Sequence, residues 1–117
     1  MKLTELRIGN IVNKYEEPHE ISVWDFDNIS TGITIVDPIP LTEQWLKDFG
    51  FEKNTHSGWG GKADYIIDDF WTILFFGEKI RFGYDEIDEG HITLCDIKYV
   101  HQLQNLYFAL TGKELNK

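Results

Sequence analysis

The sequence contains one cysteine, one methionine and three prolines, and its apolar residues never form a long uninterrupted run. With Cys95 as the single thiol, an internal disulfide and a thiolate metal cage are both excluded. The segment from Met1 to Tyr15 lacks the apolar run of a signal peptide, and no segment approaches the roughly eighteen apolar residues of a membrane helix. These absences predict a soluble, cytoplasmic protein without a membrane segment.

Basic residues are also scarce, since 11 Lys and Arg stand against 20 Asp and Glu and give a net charge of −9. The imbalance holds on both sides of Gly60, with five basic against ten acidic residues before it and six against ten after it. Proteins that bind nucleic acid need clustered Lys and Arg to displace counterions from phosphates. The sequence therefore predicts no direct nucleic-acid binding, and the acidic excess is typical of a solvated surface.

Apolar residues are nevertheless plentiful, at 42% of the 117 residues, and 15% of the residues are aromatic. This composition is sufficient for a hydrophobic core and differs from that of disordered chains. The sequence shows no internal repeats and no low-complexity tract. We expect one domain over residues 1–117.

Turn residues divide most of the chain into short β-rich segments. Gly9-Asn10 predicts a turn or a bulge between apolar residues, and Pro38 and Pro40 end the strand before them. A glycine-rich loop is expected over Asn54–Gly61. The predicted strands are 21–26, 32–36, 63–68, 71–76, 79–84 and 91–95, of which the last four form an antiparallel meander.

Two segments have helical patterns. Thr42 is a suitable N-cap and Gly50 a suitable residue after the last turn, which predicts a helix over Thr42–Phe49. A second helix is expected over Asp96–Leu110, capped at its first residue and ended by Gly112. Together these elements predict an α+β fold, in which an antiparallel, twisted or barrel-like sheet packs against two helices.

The motifs of catalysis and of cofactor or metal binding are incomplete. In the Ser57–Lys62 loop, His56 and Ala63 replace the first glycine and the Ser/Thr of a phosphate-binding loop. The four histidines are isolated in sequence, and Asp85–Gly90 lacks the alternating ligands of a calcium loop. Cys95 alternates with apolar residues and is expected to be a small core residue. We predict a protein that is not an enzyme and has no catalytic residue, cofactor or metal.

The final helix gives one indication of a contact site. At about 100° per residue, Leu103 and Tyr107 fall on one apolar stripe, whereas Phe108 lies about 140° away from Leu103. We expect Phe108 to be at least partly exposed, unless a strand or the tail through Leu115 covers it. The expected partner-binding surface contains Phe108 and its polar neighbours His101, Gln104 and Asn105.

Three blocks of the sequence carry a family resemblance. They are Glu5–Val12, then Pro38–Leu46 followed by Phe49–Lys53, and finally Ile97–Gly112, which is the most distinctive. On these blocks the chain resembles a family of small uncharacterised proteins of Bacteroidetes-type bacteria, their prophages and mobile elements. The resemblance implies an accessory intracellular protein and supplies no activity. Arg7–Val12 also resembles the opening of small SH3-like barrels, including the KOW type of transcription and translation factors.

The favoured interpretation is a non-enzymatic protein-interaction or accessory module of phage or mobile-element origin, which binds a protein partner or associates with itself. It rests on the incomplete catalytic motifs, the many aromatic residues and the position of Phe108. The alternative is an acidic, DNA-mimicking inhibitor of a nucleic-acid-binding protein. In its support, eight carboxylates within Asp64–Glu89 oppose only Lys79 and Arg81. Mimicry would need those carboxylates in a row at phosphate-like spacing.

Overall fold

The computed structural model describes residues 6–30, 36–53, 64–68, 70–86 and 90–115. They divide into two compact units. The terminal unit contains the described residues of 1–41 together with 99–115, and the central unit contains those of 42–98. The elements are β1 (Ile11–Lys14), β2 (Glu17–Glu20), α1 (Val23–Ser30), β3 (Val36–Asp37), α2 (Glu43–Asp48), β4 (Glu52–Lys53), β5 (Tyr65–Ile67), β6 (Trp71–Phe76), β7 (Lys79–Glu86), β8 (Gly90–Ile97) and α3 (Val100–Thr111).

The predicted α+β class with antiparallel strands is confirmed. The terminal unit has a three-stranded sheet in the order β2-β1-β3, and the central unit a five-stranded sheet in the order β4-β5-β6-β7-β8. Within the described residues neither sheet closes into a barrel, and three helices are present where two were predicted. The expectation of one domain stays a prediction.

In the terminal unit, β1 and β2 form a hairpin that sequence patterns do not predict. Tyr15 and Glu16 occupy its turn with φ of 52° and 67°. Two successive positive φ values are the geometry of a type I′ turn, which normally uses Asn and Gly. Since neither is present, the segment 13–20 reads in sequence only as a polar connection.

The strand predicted over Ile21–Phe26 is wrong, because α1 occupies most of this segment. Ser22 and Asp25 stand three residues apart at its start, and the Asp25 carboxylate accepts a hydrogen bond from the Ser22 N–H at 2.8 Å. The Asp25 side chain thus caps the N–H of the residue before α1, and this local contact outweighs the alternation of apolar residues that indicates a strand. Residues 32–35 of the next predicted strand lie outside the described residues, and β3 begins at Val36.

The core of the terminal unit lies beneath this hairpin and helix. Val12 and Ile21 are fully buried and pack with Leu6, Val36 and the partly buried Ile29 of α1. The chain enters β1 through the predicted turn, where Gly9 has a φ of +96° and the Asn10 N–H donates to the Arg7 carbonyl oxygen at 3.0 Å. Glycine suits this position, since positive φ costs it little.

In the central unit, the predicted antiparallel meander is confirmed, and β7 and β8 are longer than predicted. Phe82 pairs with Cys95 and the next residue, Gly83, pairs with Thr93, so Leu94 is the extra residue of a β-bulge. The buried core residues of the central unit include Tyr65, Ile73 and Phe82. The loop predicted over Asn54–Gly61, with the Ser57–Lys62 motif, lies outside the described residues.

The helix predicted over Thr42–Phe49 is confirmed as α2. Thr42 is its N-cap and Phe49 its C-cap. Gly50 follows with a φ of +97°, while the Gly50 N–H donates to the Lys47 carbonyl oxygen and the Phe51 N–H to the Leu46 carbonyl oxygen. These two bonds are those of a Schellman ending.

The final helix begins later than predicted. Asp96 belongs to β8, where it pairs with Arg81, and α3 begins at Val100. Its N-cap is Tyr99, whose N–H donates to the Gln102 side-chain oxygen at 3.1 Å. An acidic residue therefore does not locate the start of a helix when it still belongs to the preceding strand. The end at Gly112, with a φ of +74°, is as predicted.

Candidate interaction surfaces

The predicted α3 site is divided between the interior and the surface. Phe108 is 39% exposed, as expected for its position on the helix, and Asn105 is half-buried. His101 and Gln104 are buried, with 3% and 0% exposure, so the prediction that they share an accessible polar face with Phe108 is wrong. The partner-binding role of the four residues stays a prediction.

Gln104 is buried because it completes the hydrogen bonding of distant backbone groups. Its side-chain oxygen accepts from the Ile11 N–H at 2.7 Å, and its amide nitrogen donates to the carbonyl oxygens of Gly9 at 3.1 Å and Leu115 at 3.3 Å. Buried backbone groups without partners are costly, so a glutamine here stabilises the turn before β1 and the tail after α3. His101 is buried one helical turn before it, and the His101 ring stacks on the Tyr99 ring at a centroid distance of 5.9 Å.

A second set of polar side chains continues from Gln104 to the surface. Asn10 is fully buried, and its side-chain oxygen accepts from the Arg7 N–H at 2.6 Å. Its amide nitrogen donates to the Asn105 side-chain oxygen at 2.7 Å, which also accepts from the Arg7 Nε at 3.1 Å. Asn105 therefore joins α3 to the turn before β1.

Arg7 explains the partial exposure of Phe108. Its guanidinium lies 4.2 Å from the centre of the Phe108 ring and also forms a two-pronged ion pair with Glu114. One ring face is thus covered by a cation held in place by the tail. Leu115 is buried and its carbonyl oxygen accepts from the Gln104 side chain, so the tail after α3 also contributes to this arrangement.

The first turn of α1 is held by a buried carboxylate that sequence reasoning missed. Asp25 is 6% exposed and accepts from the Ser22 N–H and the Ser22 hydroxyl, both at 2.8 Å. His19 Nε2 of β2 lies 2.9 Å from the same carboxylate, and Lys14 Nζ of β1 lies 3.4 Å from its other oxygen. Asp25 therefore ties α1 to both strands of the hairpin. The Ser-x-x-Asp spacing is the signal that could have identified it.

The charge state of Asp25 follows from these contacts. Burial acts to raise the pKa of its carboxyl group, but the hydrogen bonds from Ser22 and His19 together bring that pKa well below its usual range. The carboxylate is thus ionised in the folded protein at neutral pH.

Ser22, His19 and Asp25 do not form a catalytic triad. The Ser22 hydroxyl and His19 Nε2 both contact the same oxygen of Asp25. In a triad the histidine stands between the serine and the carboxylate, where it can take the serine proton. The Ser22 hydroxyl instead donates its proton to the Asp25 carboxylate and not to His19.

The terminal unit also exposes several large apolar side chains to solvent. Val23 and Trp24, the first two residues of α1, are 65% and 80% exposed, and Tyr15 in the hairpin turn is 74% exposed. Glu17 is exposed and lies directly opposite Lys14 in the β1–β2 register, so the two side chains share one face of the sheet. We call the group Tyr15, Glu17, Val23 and Trp24 the α1 surface.

The acidic residues of the central unit occupy different places on the sheet. The Asp64 carboxylate accepts from the Phe75 N–H at 2.8 Å. Asp68 follows β5 at one end of the sheet, and Glu78 lies in the β6–β7 turn at the other end. These described carboxylates are therefore divided between the two ends of the sheet. The DNA-mimic interpretation stays a prediction.

Two further features of the central unit bear on chemistry. A cavity of about 230 Å³ is lined by Gly50, Glu52, Ile66, Ile67 and Asp68. Among these described residues there are two carboxylates, and none is a histidine, serine or cysteine. The free Cys95 is partly buried in β8, and burial and then the charge of Asp96 raise the pKa of its thiol, which favours the protonated form.

In the part of the chain that the structure describes, no three His, Cys, Asp or Glu side chains are arranged to hold a metal ion. No helix within the same residues is long and apolar enough to cross a membrane.

The chain matches no protein-family model, and neither a curated protein nor a solved structure matches it at a significant level. The family resemblance based on the sequence blocks therefore stays a prediction.

Proposed function

We propose that the protein is a non-enzymatic interaction module that binds a partner protein through the α1 surface. The observation that carries this proposal is the 80% exposure of Trp24 on a helical turn fixed by Asp25. Tryptophan is among the residues that most often dominate binding energy at protein interfaces. A side chain presented from a rigid turn also loses little freedom on binding, which favours affinity.

The surface around Phe108 on α3 is a weaker contact site. Phe108 is about half as exposed as Trp24, and one face of its ring is covered by Arg7. Two of its predicted polar companions are buried. We therefore place the main contact on α1 and keep Phe108 as a flanking residue to be tested.

The cellular setting is part of the same proposal. The single cysteine suits a reducing compartment such as the cytoplasm. The resemblance of three sequence blocks to a family of small uncharacterised proteins of Bacteroidetes-type bacteria, their prophages and mobile elements supports an accessory role.

Affinity capture from cells that naturally carry the gene, read by mass spectrometry, tests the proposal. The wild-type protein is compared with Trp24→Ala and with Leu110→Ala, which truncates an apolar side chain that is 44% exposed on α3. We expect at least one protein to be captured by the wild type and Leu110→Ala and lost with Trp24→Ala. Thermal melting should show that both variants remain folded, since exposed substitutions usually change stability little.

Phe108→Asp in the same experiment separates the two surfaces. Capture retained by Phe108→Asp and lost by Trp24→Ala supports contact through α1. Capture lost by Phe108→Asp and retained by Trp24→Ala would contradict the proposal and move the contact to α3. A set of captured proteins identical across all variants would contradict both.

A further inference from the structure

The charge around the α1 surface is one-sided. Between Lys14 and Asp25 the chain has one lysine and four acidic residues. The Lys14 ammonium and the His19 ring both contact the buried Asp25 carboxylate, so both groups already have an acidic partner within the unit. The remaining carboxylates of the segment, on Glu16, Glu17 and Glu20, are exposed. This part of the terminal unit therefore presents negative charge to solvent.

The strand register decides which of those carboxylates lies near Trp24. Glu17 is opposite Lys14, whose ammonium reaches Asp25, so the Glu17 side chain is on the face that α1 covers. Glu20 is opposite Ile11 and therefore points to the other face of the sheet. Glu17 is thus the carboxylate that the fold brings to the same side as Trp24.

Exposed aromatic rings and carboxylates favour the same kind of ligand. The faces of Trp and Tyr rings attract a Lys ammonium or an Arg guanidinium, and a carboxylate can pair with the same cation. The methylene stem of Lys or Arg can at the same time cover an apolar side chain such as Val23. The α1 surface supplies all three components, with Tyr15, Trp24, Glu17 and Val23 exposed.

We infer that the partner of the α1 surface is a Lys- or Arg-bearing segment of a basic protein. This inference rests on the proposed function and adds the chemistry of the partner. A second copy of the chain is the less favourable occupant, because it carries the same net charge of −9 and exposes the same carboxylates.

Fluorescence anisotropy with defined peptides tests the inference. The probe is a short fluorescein-labelled peptide that alternates Arg with Ser, and its control has Gln in place of each Arg. We expect the wild-type protein to bind the Arg peptide more tightly than the Gln peptide. Trp24→Ala should weaken binding of the Arg peptide about tenfold, the loss typical of an anchoring residue.

A matched pair of charge variants separates recognition from general attraction. Glu17→Gln and Asp37→Asn each remove one exposed negative charge, but Asp37 is opposite Asn13 on the other face of the sheet. We expect Glu17→Gln to weaken binding about two- to fivefold, as for an exposed ion pair, and Asp37→Asn to leave it nearly unchanged. Equal losses in both variants, or no loss with Trp24→Ala, would overturn the inference by showing non-specific attraction to an acidic protein.

The remaining outcomes distinguish failure of the basic-partner inference from failure of the proposed interaction module. Trp24-dependent capture of a cellular protein, together with equal binding of the Arg and Gln peptides, would overturn the basic partner and leave the interaction module intact. A Trp24-dependent dimer in sedimentation at physiological salt would overturn the inference in favour of a second copy. If neither capture nor peptide binding depends on Trp24, both statements fail.

Discussion

In α3 a glutamine is fully buried and a phenylalanine is partly exposed, whereas in α1 an aspartate is buried and a tryptophan faces solvent. The two helices belong to the same unit, yet neither follows the simple division into an apolar inner face and a polar outer face. Gln104 is buried because three backbone groups depend on it, and Asp25 because it caps α1 and contacts two strands. In so small a unit, the hydrogen bonding that the backbone requires competes with apolar burial in deciding which side chains turn inward.

The largest effect should come from the apolar side of α3. Leu103 is fully buried, so Leu103→Ala should lower the free energy of unfolding by about 2–5 kcal/mol through lost burial and a residual cavity. Leu110→Ala, on the exposed end of the same helix, is the control and should cost about 1 kcal/mol or less. Urea denaturation measures both. An unchanged transition for Leu103→Ala would mean that the orientation of α3 is wrong.

The polar side of α3 should be nearly as sensitive. Gln104→Ala removes the partners of Ile11, Gly9 and Leu115, and we expect a loss of about 2–4 kcal/mol, since unsatisfied buried groups are costly. Gln44→Ala is the matched control, because Gln44 is exposed on α2. A cost for Gln104→Ala as small as that of Gln44→Ala would contradict the conclusion that Gln104 is buried because backbone groups depend on its amide.

Asp25 should make stability depend on pH. Its pKa in the folded protein is below the value of about 3.9 expected in the unfolded chain. Its contribution is therefore fully present above that unfolded value and is lost as the pH falls toward the folded pKa. At pH 7, Asp25→Asn should cost about 1–2 kcal/mol, as for the loss of a helix cap.

Comparison of the wild type with Asp25→Asn at several pH values isolates this group from the other carboxylates. The difference in unfolding free energy between the two proteins should shrink as the pH is lowered from 5 toward 3. A difference that stays constant over this range would show that the Asp25 carboxylate does not stabilise α1 through its charge.

Phe108 should have the smallest effect on stability. Its ring is partly exposed and contacts Arg7, so Phe108→Asp should cost about 1 kcal/mol or less. Phe108→Leu, which keeps an apolar side chain and loses the ring, serves as the control for the contact with Arg7. A cost of several kcal/mol for Phe108→Asp would show that the residue is covered, and its role as a contact site would then be excluded.

Local signals in the sequence were sufficient for some elements. The helix α2 was predicted because its cap and its ending lie within ten residues of each other, at Thr42 and Gly50. The central meander was predicted because turn residues separate strands of ordinary composition. For α1 a local signal was present at Ser22 and Asp25, but the alternating apolar residues around it favoured a strand.

Other features depend on residues that are distant in sequence. The exposure of Phe108 follows from helical periodicity and was predicted, whereas the burial of Gln104 depends on Ile11 and Leu115 and was not. The contact of Lys14 with Asp25 also joins residues that are distant in sequence and was not predicted. The α1 surface, which depends on that contact, was therefore not predicted either. Patterns within a short window cannot show which distant backbone groups will need a partner.

The order of synthesis has a consequence for the ion pair between Arg7 and Glu114, which are 107 residues apart in sequence. The terminal unit combines residues 6–41 with 99–115, so it cannot close until the last of these segments has left the ribosome. By then the whole of 42–98 has been synthesised and can already form its local antiparallel pairs. We expect the central unit to fold first, while the residues around Val12 and Ile21 wait for α3. Until α3 arrives, Trp24 would be one of several exposed apolar side chains, and its isolation on the surface would be established last.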